Sequence, residues 1–253
     1  MSAWLAYVGL TAWEAAYLAA VVFAAGMVRG FSGFALSALV MASAAIVLSP
    51  IQLIPILWWL ETAATLLMVR GGWRDADRRI AVLLVLGGMM GQPIGLYLTT
   101  TLPVDQSRMI ALCMIILLAL LQLAKVRFAF LATTMGVVLS GVMAGLATGL
   151  AMVGGMVVAL YVLSQDRVPM VMRATLVLYL AISSTVGLAY QVGFGIMDWT
   201  GIARGLSYVP IVIVGVLVGQ AMFRPRLERY YKPFCLILLM LLAASGLVRL
   251  AIT

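Results

Sequence analysis

The chain has 253 residues, 65% of them hydrophobic and 9% charged, with a formal net charge of +8 and no histidine. Ordinary globular domains carry roughly 25% charged residues, so a water-soluble core is excluded and a polytopic membrane protein is expected. The missing imidazole excludes His-based nucleophilic triads and most zinc, copper and haem sites, and no metal or cofactor is expected.

Taken in chain order, the apolar stretches predict ten helical segments: 13–28, 34–48, 51–69, 80–99, 108–124, 129–147, 151–164, 170–190, 204–223 and 233–251. The first twenty residues, MSAWLAYVGLTAWEAAYLAA, lack a basic start and a cleavage-type end, so no signal peptide is expected. A spanning helix needs ~20 residues, range 17–25, which five of the segments meet comfortably. The pieces at 34–48 and 151–164 are short, and each sits beside a glycine-rich break, at 26–33 and 141–155. Cys113 and Cys235 both fall in apolar segments, where a small buried hydrophobe is the expected role and no disulfide framework is implied.

Lys and Arg collect at Arg70, Arg74, Arg78 and Arg79, at Lys125 and Arg127, at Arg167, and at Arg224, Arg226, Arg229 and Lys232. Loop cations of this kind orient a membrane protein rather than bind nucleic acid. The positive-inside rule assigns those eleven to the cytoplasmic face, against three (Arg108, Arg204 and Arg249) at the remaining ends. That split requires each interrupted stretch to count as two segments, either a pair of short crossings or a re-entrant hairpin. Both termini then lie on the outer side of the bilayer.

The halves resemble each other. Gly26-Met-Val-Arg-Gly30 aligns with Gly141-Val-Met-Ala-Gly145 at an offset of 115, and Gly87, Gly91 and Gln92 align with Gly215, Gly219 and Gln220 at 128. Two repeats, 1–127 and 128–253, are therefore expected to build one integrated transmembrane domain, each with about five helical segments. An odd count inverts the second repeat, the build of many secondary transporters, which bind substrate near mid-membrane where broken helices meet.

The break itself, AAGMVRGFSGFALS at 24–37, interrupts an apolar run with glycines, an arginine and a serine. Gly26, Gly30 and Gly33 permit positive φ or close approach of another helix, and close packing without ligand contact is the competing reading for them. Helix N-termini aimed at a cavity form an anion site without needing a charge. The second break offers the same possibility through Gly145, Thr148, Gly149, Gly154 and Gly155.

Arg29 presents a planar fork suited to carboxylate, sulfonate or phosphate oxygens; the rival roles are a snorkelling anchor and a pairing with Glu61. Glu61, in the middle of IPILWWLETAATLLM, is an acid at a depth where ionisable groups usually serve function. It is a candidate for reversible protonation and coupling, with pairing to an arginine as the rival. Arg173 is a candidate second anion ligand or a surface anchor. Gln92 and Gln220 offer amide donors to a substrate or to a neighbouring helix, and Trp58-Trp59 either lines the pathway or packs.

These motifs form a recognisable set. RGFSGFALSALV, at 29–40, resembles the RGFxGFG signature in the first repeat of the TauE/SafE family, a sulfite exporter and sulfonate transporter group. GGMMGQPIGLYL, at 87–98, resembles that family's GxxxGxPxG helix, and WRDADRR at 73–79, the chain length and the two-fold repeat also fit. The resemblance implies an all-α permease of the bacterial inner membrane that moves small sulfur-containing or organic anions such as sulfite, sulfoacetate or related sulfonates. It places Arg29, Gly30, Phe31, Ser32, Gly33 and Phe34 in the substrate motif, and the sequence departs from the pattern at Ala35. An anion channel would share the glycine breaks without a coupling acid. An intramembrane enzyme would need a Ser–Lys or paired-Asp site, whereas Lys125 and Lys232 lie in loops and no aspartate lies within a predicted span.

Overall fold

A computed structural model of the protein describes residues 9–69, 75–126, 130, 133–163, 169–222 and 228–252. Its order is α1 (Ala12–Ser32), α2 (Leu36–Ala44), α3 (Pro50–Val69), α4 (Arg78–Thr101), α5 (Val104–Leu123), α6 (Thr134–Ala151), α7 (Gly154–Leu163), α8 (Pro169–Gly193), α9 (Trp199–Met222) and α10 (Glu228–Ile252). Among the described residues there is no strand. The ten helices fall on the ten predicted segments.

Polar residues fix where several of the long helices start. The Thr11 hydroxyl accepts from Glu14 N–H at 3.2 Å while Glu14 Oε2 accepts from Thr11 N–H at 2.8 Å, a capping box that opens α1. Asp77 accepts from Ile80 N–H to open α4, and Thr133 accepts from Gly136 N–H to open α6. Pro50 and Pro169 begin α3 and α8, at the one helical position where a missing N–H costs nothing. Among the described residues eight helices are long and apolar enough to cross a membrane, where the apolar stretches met that length comfortably in five. This is a multi-pass membrane protein. The other two, α2 with nine residues and α7 with ten, rise only about 14–15 Å, half the ~30 Å hydrocarbon core.

The breaks are narrower than the glycine-rich stretches that announce them. Gly26 and Gly30 lie inside α1, and Gly141, Gly145 and Gly149 lie inside α6. The chain leaves the helix only at 33–35 and 152–153, where Gly33 (φ 80°), Ala35 (φ 74°) and Met152 (φ 56°) adopt the left-handed conformation.

The interior glycines set two helix contacts instead. Gly26 and Gly30 of α1 meet Gly215 and Gly219 of α9, so closely that a Cβ on Gly30 would stand 2.3 Å from the Val216 carbonyl oxygen. On the other side of the molecule Gly141, Gly145 and Gly149 of α6 run along α4, where a Cβ on Gly91 would reach within 2.0 Å of the Val142 carbonyl oxygen. No side chain fits between backbones this close, which is why small residues recur at the spacing of one helical turn. The principal pairings are α1 with α9, α6 with α4, α3 with α9, α8 with α4, α5 with α10, and α3 with α8. Replacing every helix by the one five places along returns the same set.

Outside this core, Leu86, Met90, Ile94 and Tyr97 of α4 and Leu206, Val214 and Leu217 of α9 are exposed, as lipid-facing side chains are. Trp13 and Trp199 stand exposed at the starts of α1 and α9, which run parallel, so both rings mark the same membrane surface. Cys235 is buried as expected, but Cys113 is exposed on the outer side of α5.

Candidate functional site

Arg29 occupies the last turn of α1 and is only 2% exposed, so it is not a snorkelling anchor. Because Gly33 turns the chain left-handed there, the Gly33 carbonyl faces back toward the helix and accepts from Arg29 Nη1 at 2.9 Å. Nη2 donates to Thr65 Oγ1 at 3.3 Å and lies 3.2 Å from Glu61 Oε2. The other carboxylate oxygen, Glu61 Oε1, accepts from the Ser37 backbone N–H and from the Ser37 hydroxyl. Ser37 is the second residue of α2, whose first N–H groups carry the positive end of the helix dipole. Glu61 thus sits between a guanidinium and a helix N-terminus.

The second break carries no charge. Met152 N–H donates to the Thr148 carbonyl, Val153 N–H donates to the Ala147 carbonyl, and the Thr148 hydroxyl donates back to the Ala144 carbonyl. α3 and α8 close the wall between the breaks through Trp58, whose Nε1 donates to the Ser184 carbonyl at 2.8 Å. Trp58 and Trp59 meet edge to face, with centroids 4.9 Å apart. Trp58 lines the cavity between the breaks, while Trp59 packs against Gly205 of α9.

Both breaks line one cavity of about 60 Å³, several times the ~10–15 Å³ that admits one water. Arg29, Ser37, Glu61 and Thr65 contribute from the first half, with Gln92 from α4; Thr148, Met152 and Gly155 contribute from the second break; Tyr179, Ser183 and Gln191 contribute from α8. Within it Arg29 Nε, Gln92 Nε2, and both amide atoms of Gln191 are buried without a hydrogen-bond partner. Glu61 Oε2 and the Tyr179 hydroxyl are likewise without a hydrogen-bond partner, and since buried polar groups are satisfied in more than 90% of cases, this mixture of unpaired donors and acceptors is the cavity's most unusual feature.

Of the residues named from sequence, the structure brings Arg29, Glu61, Gln92, Thr148 and Gly155 to the cavity. Gly33 holds Arg29 through its carbonyl, Phe34 is buried beside the turn, and Gly154 packs against Thr148 and the Ala144 carbonyl. Gly30, Gly145 and Gly149 lie at helix–helix contacts and Gln220 is exposed on α9, away from the cavity. The side chains of Phe31, Ser32 and Arg173 lie outside the described residues.

Sequence reasoning missed Ser37, Thr65, Tyr179, Ser183 and Gln191. A signal existed for three of them: Tyr179, Ser183, Gly187 and Gln191 recur every fourth residue and so form one polar stripe on an otherwise apolar α8.

The sequence model of the family described as Sulfite exporter TauE/SafE matches residues 18–246. No curated protein and no solved structure matches the chain. The match takes in both breaks, the ion pair and the polar stripe of α8, nearly the whole helical core: the chain belongs to the TauE/SafE family of sulfite exporters.

Proposed function

We propose that the chain is a secondary carrier of small sulfur-containing or organic anions, such as sulfite, sulfoacetate or related sulfonates, working by alternating access and coupled to protons through Glu61. The observation that carries this reading is the cavity between the two breaks, where Arg29 and unpaired buried donors converge. The unpaired N–H groups of Arg29, Gln92 and Gln191 favour an oxyanion as guest, since a buried N–H left unpaired is costly, and the unpaired Gln191 Oε1 can take a proton or water that accompanies it. The family supports a sulfur oxyanion as that guest. Arg29, Gln92, Thr148 and Gly155 line its path, and a cavity this small suits a compact headgroup.

The exchange of pairings between helices five apart supports two inverted repeats, 1–127 and 128–253. Alternating access then follows when the halves swap conformations. The positive-inside rule supports a bacterial inner membrane placement with basic loops in the cytoplasm and both termini outside.

Coupling rests on what faces Glu61: Arg29 from α1, Ser37 from α2, Thr65 on its own helix, and Tyr179 of α8 across the cavity. Ionised, Glu61 is the counter-ion of Arg29. Protonated, it releases the guanidinium and the Ser37 N–H to an incoming oxyanion. Proton and anion therefore bind together, and anion affinity rises as pH falls. In proteoliposomes, sulfite flux should saturate, show counterflow, and carry protons with it. Unsaturable, uncoupled current would replace the carrier with an anion channel.

A further inference from the structure

Pro93 has no N–H, so the Met89 carbonyl four residues earlier loses its helical donor. The Tyr190 hydroxyl of α8 takes that place, donating to the Met89 carbonyl at 2.9 Å. The bond fixes the last turns of α8 against α4. One turn before Gln191, Gly187 leaves room for the Gln92 amide, whose Nε2 lies 3.1 Å from where a Gly187 Cβ would stand. Gln92 thus lies on the same face of α8 as Gln191, one turn away.

Gln92 is 2% exposed and Gln191 0%, and both line the cavity. Gln92 Nε2, Gln191 Nε2 and Gln191 Oε1 have no partner. The Trp58–Ser184 bond separates this pair from the charged pair. α3 and α8 run antiparallel, so Glu61, three residues past Trp58, and Gln191, seven past Ser184, lie on opposite sides of it. At 1.5 Å per residue the two levels are about 15 Å apart along the helix axes. Arg29 is meanwhile held by Glu61, so an anion arriving in this state meets the amides without meeting a free cation.

Resting on the carrier reading above, we propose that Gln92 and Gln191 form a charge-free station for an oxyanion, separate from Arg29, which holds the anion while Glu61 still occupies Arg29. The two NH2 groups donate to anion oxygens, and Gln191 Oε1 accepts from the proton of a hydrogen-bearing oxyanion or from an accompanying water. Neutral amides hold an anion loosely enough to pass it on. Transfer to Arg29 follows when Glu61 is protonated and withdraws, so the first station loads and the second couples.

The test uses the full chain in lipid nanodiscs with sulfite as the probe, titrated calorimetrically at several pH values. Gln191→Leu and Gln92→Leu should each weaken sulfite binding about tenfold, the loss of one hydrogen bond to an anion, while keeping the wild-type pH dependence. Without sulfite, their unfolding temperatures should equal or exceed that of the wild type, because an apolar group of similar shape removes an unsatisfied one. Unchanged sulfite affinity in both variants overturns the station and leaves the carrier standing, as it would if the amides held water alone. A lowered unfolding temperature with unchanged affinity overturns it too, by making the amides structural. Absence of sulfite binding by the wild type overturns the carrier reading and the station together.

Discussion

The two helix breaks reach the same cavity by different chemistry. At the first, a guanidinium, a carboxylate and the N-terminus of α2 are interlocked by Arg29, Glu61 and Ser37. At the second, the N-terminus of α7 is flanked by Thr148 and Met152, with hydroxyls on the facing helix and no charge among the cavity residues of that half. The packing that supports each is alike: a glycine-lined helix laid on the fourth helix of the other half. The difference teaches that scaffold and chemistry have separated. The glycine contacts are alike in the two halves, while the buried ion pair of Arg29 and Glu61 sits at one break alone among the described residues.

Removing the charge should therefore hurt one break far more than the other. Arg29→Ala leaves the part-buried Glu61 carboxylate with its Ser37 bonds alone, a defect smaller than the ~3–5 kcal/mol of a fully buried broken pair, and sulfite flux should vanish. Arg29→Ala with Glu61→Ala should regain most of the stability and none of the flux. Thr148→Val, at the second break, removes one local hydroxyl bond and should change stability by about 1 kcal/mol or less. Unfolding temperature in nanodiscs and flux in vesicles measure all three. Equal losses at Arg29 and Thr148 would make the breaks equivalent after all.

The next effect is smaller and concerns pH alone. Glu61→Gln keeps the shape of the side chain and accepts from Ser37 as before, but it holds no titratable proton. Sulfite affinity in the wild type should fall as pH rises, because the ionised carboxylate reclaims Arg29. In Glu61→Gln it should stay flat across the same range. A variant that keeps the wild-type slope would move the coupling proton to another group, with Tyr179 the next titratable side chain on the cavity wall.

How much of this was legible in the sequence follows from what each signal encodes. Helix number and order could be read because apolar runs of spanning length are a direct imprint of the bilayer. The span count fell short chiefly because the glycine-rich text after residue 28 hid the last turn of α1, which runs on to Ser32. Glycine spacing suggested a repeat, yet it could not say that Gly30 and Gly145 lie at helix contacts while Gly33 makes the turn. One residue type does both jobs, and only the partner backbone decides. Arg29 and Glu61 were visible as charges out of place. Gln191 could be read only as a member of the four-residue stripe on α8, and Ser37 not at all, since a single hydroxyl in a membrane helix bonds its own backbone as readily as a ligand.

The smallest effect isolates the backbone of the breaks. Ala35 and Met152 both hold left-handed backbone, at φ 74° and φ 56°, conformations that disfavour a Cβ by roughly 1–2 kcal/mol. Ala35→Gly removes that strain and returns part of the gain as greater freedom of the unfolded chain, so a net stabilisation of about 0.5–1 kcal/mol is expected with flux intact. Met152→Gly removes the same strain together with a side chain that packs on the core and lines the cavity. That burial is worth about 1.5–3 kcal/mol when complete, so this variant should be less stable than the wild type despite its relaxed turn. Opposite signs at these two left-handed positions, one before α2 and one capping α6, would show that the first break tolerates an ideal turn, whereas the second is held by the side chain at the turn itself. Destabilisation by Ala35→Gly would mean instead that the Ala35 methyl, buried at 7% exposure, holds the first break by packing.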